Sequence, residues 1–285
     1  MNCNIIRLIQ PPQHNFAVSP EALYENYRFD IRPATDDRPF FFHFFKWRQT
    51  PEILASLGRT WQPFGGSGFF VLVALLVLVA LAAVVFILGP LLLRSGLRRA
   101  QGSVRPSLPA WRVLLYFACL GLAFLFIEVS LSQRFILVLG QPVTALAVIL
   151  LALLLFSGLG ALTVRRWSLA WGLGTLVAVI ALYPLLLPPF SALALRLPEG
   201  GRLLLTVLAL APLGYLMGLP FAAGLHVAER HNAVLVPWAW AINGSFSVIS
   251  AVLAVIVALS AGFSAVLWLG AAAYVGALAA FWGWG

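Results

Sequence analysis

The sequence predicts an all-α fold: a polytopic transmembrane helix bundle of about seven spans, preceded by a short, mostly irregular polar segment. Three observations carry this. Hydrophobic residues make up 62% of the 285-residue chain and charged ones 9%, against roughly 45–50% and about 25% in soluble domains. The charges are segregated, with none between Phe69 and Leu93, and about 20 apolar residues at ~1.5 Å each cross a hydrocarbon core. The apolar runs also lack the alternation of polar and apolar residues that a spanning β-barrel needs.

Composition divides the chain in two. Residues 1–65 hold seven of the eighteen basic and six of the nine acidic residues, and form a polar N-terminal segment. Residues 66–285 are the bundle. The spans run, in order, over Phe69–Leu93, Trp111–Leu139, Pro142–Val164, Leu169–Leu187, Leu203–Phe221, Val234–Leu259 and Phe263–Trp284. Proline and glycine mark the joints: Pro90 near the end of the first span, Pro142 at the start of the third, where a missing N–H costs little, Pro184, Pro188 and Pro189 closing the fourth, and Pro198-Glu199-Gly200-Gly201 turning into the fifth.

The net charge of +9 is almost all arginine, Lys46 being the one lysine. The arginines sit at the ends of apolar runs rather than on one face of a soluble domain. That pattern suits lipid headgroups and topology, and argues against nucleic acid as a partner. Arg94, Arg98, Arg99, Arg105, Arg112, Arg165, Arg166 and Arg230 fall on one side of a seven-span bundle, which the positive-inside rule makes cytoplasmic. Residues 1–65 are then outside. Cys3 and Cys119 give no disulfide framework. His226 and Glu229 are spaced like a metal pair, but with Arg230 and His231 they read as a solvated basic loop. No metal or cofactor is assigned to this chain.

Polar residues within the spans are the candidate site. Glu128, Ser132, Gln133 and Arg134 lie in the second span, where an acid costs a few kcal/mol and faces the bundle interior or a partner. Glu128 and Ser132, four residues apart, share a helix face; Arg134 is about 240° round from Glu128 and so finds its partner elsewhere. The group is either a site for a cation, a proton or a polar headgroup, or a clamp fixing helix order. In the sixth span Trp238 and Trp240 suit an interfacial belt. Asn243 either faces Glu128 across a polar pocket or makes an interhelical hydrogen bond, with Gly244 allowing close approach. Gly214 and Gly218 form a G-x-x-x-G pair that implies tight packing. In the polar segment Asp36, Asp37 and Arg38 precede an aromatic run from Phe40 to Trp47. That stretch is either a linker docked in the membrane interface or a ligand-binding pair of carboxylates.

These motifs occur in a recognisable order. Thr35-Asp36-Asp37-Arg38-Pro39-Phe40-Phe41 leads into a span; Phe126-Ile127-Glu128 precedes Gln133-Arg134-Phe135; Leu139-Gly140 with Pro142, Leu155-Phe156-Ser157-Gly158-Leu159-Gly160, Gly218-Leu219-Pro220-Phe221 and Pro237-Trp238-Ala239-Trp240-Ala241-Ile242-Asn243-Gly244 follow. From about residue 25 to 260 the chain resembles the C-terminal membrane region of bacterial spermidine-synthase-like membrane proteins. In that family a Rossmann-type aminopropyltransferase or methyltransferase domain is attached to polytopic helices. The resemblance implies a bacterial inner-membrane location and a catalytic domain or subunit as partner. It also implies a nucleotide-binding domain ahead of residue 25, where this chain has neither a glycine-rich loop after a strand nor a ribose-holding acid. The family's catalytic residues therefore map onto nothing here, and no catalytic residue is assigned. The chain is then a fragment, or a membrane subunit whose catalytic part is a separate polypeptide. Such a domain belongs in the cytoplasm, whereas arginine counting places residues 1–65 outside. Three functions follow: membrane anchor of such an enzyme, transporter of a cation, amine or lipid, or structural assembly subunit.

Overall fold

The computed structural model describes residues 20–41, 43–56, 67–89 and 109–282. The arginine-rich connection after the first span, from Arg94 to Arg105, lies outside the described residues, as do Pro90 and the last residues of the seventh span.

Among its described residues the polar segment holds two short α-helices, α1 (Pro20–Asn26) and α2 (Thr50–Ser56), the second led in by a 3-10 turn at Trp47–Gln49. Between them the chain is largely irregular and held by side chains. Lys46 Nζ donates to the carbonyls of Tyr24 (2.5 Å) and Tyr27 (2.9 Å) as the chain leaves α1. Arg28 pairs with Glu52 at 2.7 Å. Asp30 is buried, and Arg32 supplies its counter-charge through Nε (2.8 Å) and Nη2 (2.6 Å). That hydrogen bond pushes the Arg32 guanidinium further toward its charged form. Phe41, Phe44 and Trp47 are exposed, while Phe45 is buried with its ring edge-on to Trp47.

The bundle is α3 (Ser67–Ala82, continued by a π-helical segment Ala83–Leu88), α4 (Ala110–Leu139), α5 (Pro142–Leu162), α6 (Leu169–Ala194), α7 (Glu199–Asn232), α8 (Leu235–Ala261) and α9 (Phe263–Phe281). All seven are long and apolar enough to cross a membrane. Among the described residues there is no strand, only one isolated bridge between Thr35 and Arg38.

Helix α4 is the axis of the bundle. It packs most extensively against α8 and α9 and also meets α5 and α7. Its buried stripe of Val113, Tyr116, Leu120, Ala123, Ile127, Leu131, Phe135 and Val138 recurs every three to four residues, the period of one helix face. Helix α5 pairs with α7, α6 lies against α7 and α9, and α3 is peripheral, touching α8 through its π segment.

Three boundaries differ from the sequence expectation, the smallest being the start of α7, which lies at Glu199 rather than Leu203 and takes Gly200 and Gly201 into its first turn. Helix α6 does not stop at Leu187 but runs through Pro184, Pro188 and Pro189 to Ala194. A proline removes an N–H and displaces the carbonyl one turn back, and within a membrane side chains can take over the freed backbone groups. Just past the last proline, Ser191 Oγ donates back to Leu187 O at 2.9 Å. Helix α7 does not end at Phe221 but extends to Asn232, so His226, Glu229 and Arg230 stand on a helix rather than in a loop. Between Ala222 and Glu229 there is no proline, and Gly224 alone weakens the helix, by about 1 kcal/mol. At 34 residues α7 is about 51 Å long and outreaches a ~30 Å hydrocarbon core.

Glycine sets the spacing at two crossings. On α7, a Cβ at Gly218 would overlap the carbonyl oxygen of Ser157; on α5, one at Gly160 would overlap that of Tyr215. The G-x-x-x-G pair is thus a backbone-to-backbone contact. Where α4 crosses α8 the required glycine is Gly121, whose added Cβ would meet Asn243 O, while Gly244 has open space around it. The close approach expected of Gly244 belongs to Gly121 instead.

Candidate functional site

The best-organised polar cluster is at one end of the bundle, where residues 35–39 dock on the α8–α9 turn. These helices are joined by a single residue, Gly262, at φ +89°. That conformation suits glycine, and a Cβ there would also collide with the Asp37 carboxylate. Glycine, however, has no side chain to cap α9. The first N–H groups of a helix and the last carbonyls of the preceding one need partners.

Asp37 and Arg38 supply them from across the chain. Asp37 O accepts from Phe263 N at 3.0 Å, and Asp37 Oδ1 accepts from Ser264 N at 2.8 Å and from Ser264 Oγ at 2.9 Å. Arg38 Nη2 donates to Leu259 O, in the last turn of α8, at 3.0 Å. The signs match the helix dipoles: the anion sits at the N-terminus of α9 and the cation at the C-terminus of α8. The segment itself is a turn, with Arg38 N donating to Thr35 O at 2.9 Å and Thr35 N to Arg38 O at 3.2 Å.

Arg134 of α4 completes the cluster. Its Nη2 donates to Asp37 Oδ1 and, at 2.5 Å, to Ser264 Oγ. Its side chain is only 12% exposed, and burial of an arginine requires such pairing. The residues flanking the clamp in sequence also fix a parity. Residues 35–39 precede the first span and Gly262 follows the sixth, so their contact requires an even number of crossings between them. Six satisfies that.

The other candidates fall elsewhere. Glu128 lies six residues, about 9 Å, deeper than Arg134 along α4. It is half-buried and makes no hydrogen bond or ion pair with a described residue. Ser132, on the same helix face, has a buried hydroxyl with no partner, as have Ser130 and Thr206. Gln133 is exposed.

The structure does not bring Asn243 to Glu128. Its Nδ2 donates to Phe117 O at 3.2 Å, eleven residues, or about 16 Å, back along α4. Ser247 and Ser250 continue that seam, donating to Gly121 O (3.3 Å) and Leu122 O (3.1 Å). Trp238, in the first turn of α8, is buried against the bundle, whereas Trp240 is 57% exposed and edge-on to Phe221 at 4.7 Å. Of the two adjacent carboxylates, Asp37 is spent on the clamp and Asp36 is exposed. Sequence reasoning missed Ser264, Gly262 and Leu259. The one available signal was the run Ala261-Gly262-Phe263 between two apolar spans, which marks a turn but not its partner.

Seven spans with interhelical hydrogen bonds and an end sealed by a polar clamp define a multi-pass helical membrane protein. No protein-family model, curated protein or solved structure matches this chain.

Proposed function

We propose that the chain is the membrane-embedded part of a spermidine-synthase-like protein, holding a Rossmann-type catalytic domain at a bacterial inner membrane. The observation that carries this reading is the clamp. The turn Thr35–Pro39, within the polar front piece, is bonded into the helix ends themselves by Asp37 and Arg38, with Arg134 beside them. A loose tether needs no such bonding. A fixed exit path suits a bundle that must present an attached domain at a set height and angle. The motif order from Thr35 to Gly244 supports the same family.

The test is to purify the chain from its native membrane under mild detergent and read the mass of the polypeptide that carries it. The reading expects an aminopropyltransferase- or methyltransferase-like domain, continuous with the chain or bound to it, and D37A/R134A should loosen its protease-resistant attachment. Recovery of the 30.9 kDa chain with no such domain would sink the proposal.

A second reading, a carrier for a cation or amine, rests on Glu128, an acid inside a span with no partner among the described residues. Uptake of labelled putrescine or spermidine into liposomes, compared between wild type and Glu128→Gln, decides it. Equal uptake in both, or none in either, removes it.

A further inference from the structure

A separate feature lies on the other side of α4, where α6 and α7 part. At one end these helices are in contact, Gly172 facing Leu219. Toward the other end a cavity of about 280 Å³ opens between them. Its long wall is one face of α6, represented by Val179, Leu182, Leu186 and Phe190, at the spacing of a single helix stripe. Ala209 and Pro212 of α7 form the opposite wall and Phe135 of α4 the floor. Pro184, Pro188 and Pro189 of α6 and Pro212 of α7 lie at this level, and proline bends a helix away from a straight packing line.

The lining is apolar, and the one hydroxyl, on Tyr183, is already used on Ala209 O at 2.5 Å. The cavity opens sideways, since Leu182 and Leu186 are 51% and 55% exposed on a helix surface that faces lipid. An apolar cavity of ~150 Å³ stays dry and takes up benzene, so one nearly twice that size has room for a longer hydrocarbon.

Its dimensions identify which hydrocarbon. Val179 to Phe190 spans eleven residues, about 16 Å, close to half of a ~30 Å hydrocarbon core. The groove occupies the second half of α6, from mid-helix to four residues short of its end at Ala194. It therefore covers one leaflet. Just beyond that end stands Arg196, exposed, its backbone N–H bonded to Leu193 O and its guanidinium making no ion pair or hydrogen bond with a described residue. Arg202, on the adjoining turn of α7, is already tied to backbone carbonyls of Leu197 and Leu195. A cation at the mouth of a leaflet-length apolar groove matches an anionic headgroup above an acyl chain.

We propose that this groove binds one acyl chain of an anionic phospholipid, with the lipid phosphate held at Arg196. The site is independent of the anchoring role and of the clamp.

The test uses the full chain in phosphatidylcholine vesicles doped with a photoactivatable phosphatidylglycerol bearing a diazirine in its acyl chain, with adducts mapped by mass spectrometry. Labelling should concentrate on Leu182–Phe190 and Ala209–Pro212 and be competed by unlabelled phosphatidylglycerol. Ala209→Trp, which fills the groove from α7, and Leu186→Trp, which fills it from the lipid side, should each abolish that labelling. Arg196→Gln should reduce it to the level given by a phosphatidylcholine probe. Equal labelling of the lipid-facing Leu154 and Leu155 of α5 would mean annular lipid only and overturn the proposal. Retained labelling in a folded filled variant, or no effect of Arg196→Gln, would overturn it as well.

Discussion

Two helix crossings in this bundle reach close approach by different means. Where α5 meets α7, Gly160 and Gly218 remove side chains so that backbones touch. Where α4 meets α8, Gly121 opens a gap, and Asn243, Ser247 and Ser250 then bond across it to three α4 carbonyls. The first crossing is a steric requirement with no tolerance. The second adds graded polar contributions, each modest. In lipid, where apolar surface gains nothing by meeting apolar surface, these are the two main sources of helix affinity. Both crossings need a missing side chain; the α4–α8 crossing adds three donated bonds along its length, the α5–α7 crossing a Thr163–Tyr215 hydroxyl pair at its end.

The largest effect should come at the steric crossing. Gly218→Val places atoms inside the Ser157 carbonyl and should cost about 3 kcal/mol or more, read as a lowered unfolding midpoint in mixed SDS micelles. A midpoint near wild type would show that the two helices slide apart freely. Next comes the α4–α9 clamp, which belongs with the graded contacts. Asp37→Ala removes the acceptor of Ser264 and Arg134 and should cost about 1.5–3 kcal/mol, toward the low end because the Asp37 side chain is 35% exposed and solvent weakens such pairs. High salt should shrink the difference between this variant and wild type.

Smaller still is Asn243→Ala, expected to cost about 0.6–1.7 kcal/mol, the range of single interhelical hydrogen bonds in bilayers. A loss far above that would place Asn243 in a network larger than its bond to Phe117 O. The smallest and opposite effect is expected of glycines that touch nothing. Gly158→Ala and Gly244→Ala meet no atom within 4 Å of the added Cβ and should be neutral or stabilise by up to ~1 kcal/mol. Gly160→Ala, two residues from Gly158 but with its added Cβ on Tyr215 O, should instead destabilise, so these two α5 variants separate helix propensity from contact on a single helix. A loss at Gly158→Ala would mean that the exposed side of α5 meets another surface.

The seven spans were legible because length and lack of charge suffice to mark them, and the second, third and sixth boundaries agree within two residues. The ends of α6 and α7 were not, because proline and histidine are ordinary loop signals, and only packing and span length show them inside helices. Arg134 was correctly read as needing a partner off its own helix. That the partner is Asp37, 97 residues away, could not be read, since periodicity describes one helix and not which distant turn caps it. Asn243 was readable as a hydrogen-bonding residue, but its depth relative to Glu128 depends on how α4 and α8 are staggered. The α6–α7 groove was illegible for the same reason: an exposed leucine and a cavity-lining leucine look alike in one dimension.

The clamp also sets an order of events during synthesis. Asp37 emerges from the ribosome more than two hundred residues before Ser264, and six spans must enter the bilayer in between. Throughout that time the Thr35–Pro39 turn has no helix end to bind. Its closure has to wait until the α8–α9 hairpin arrives with an uncapped start and a glycine corner shaped to receive it. That hairpin is thus locked by a residue made long before it, and a chain cut before Gly262 leaves Asp37 and Arg134 as an unfinished pair at the membrane surface.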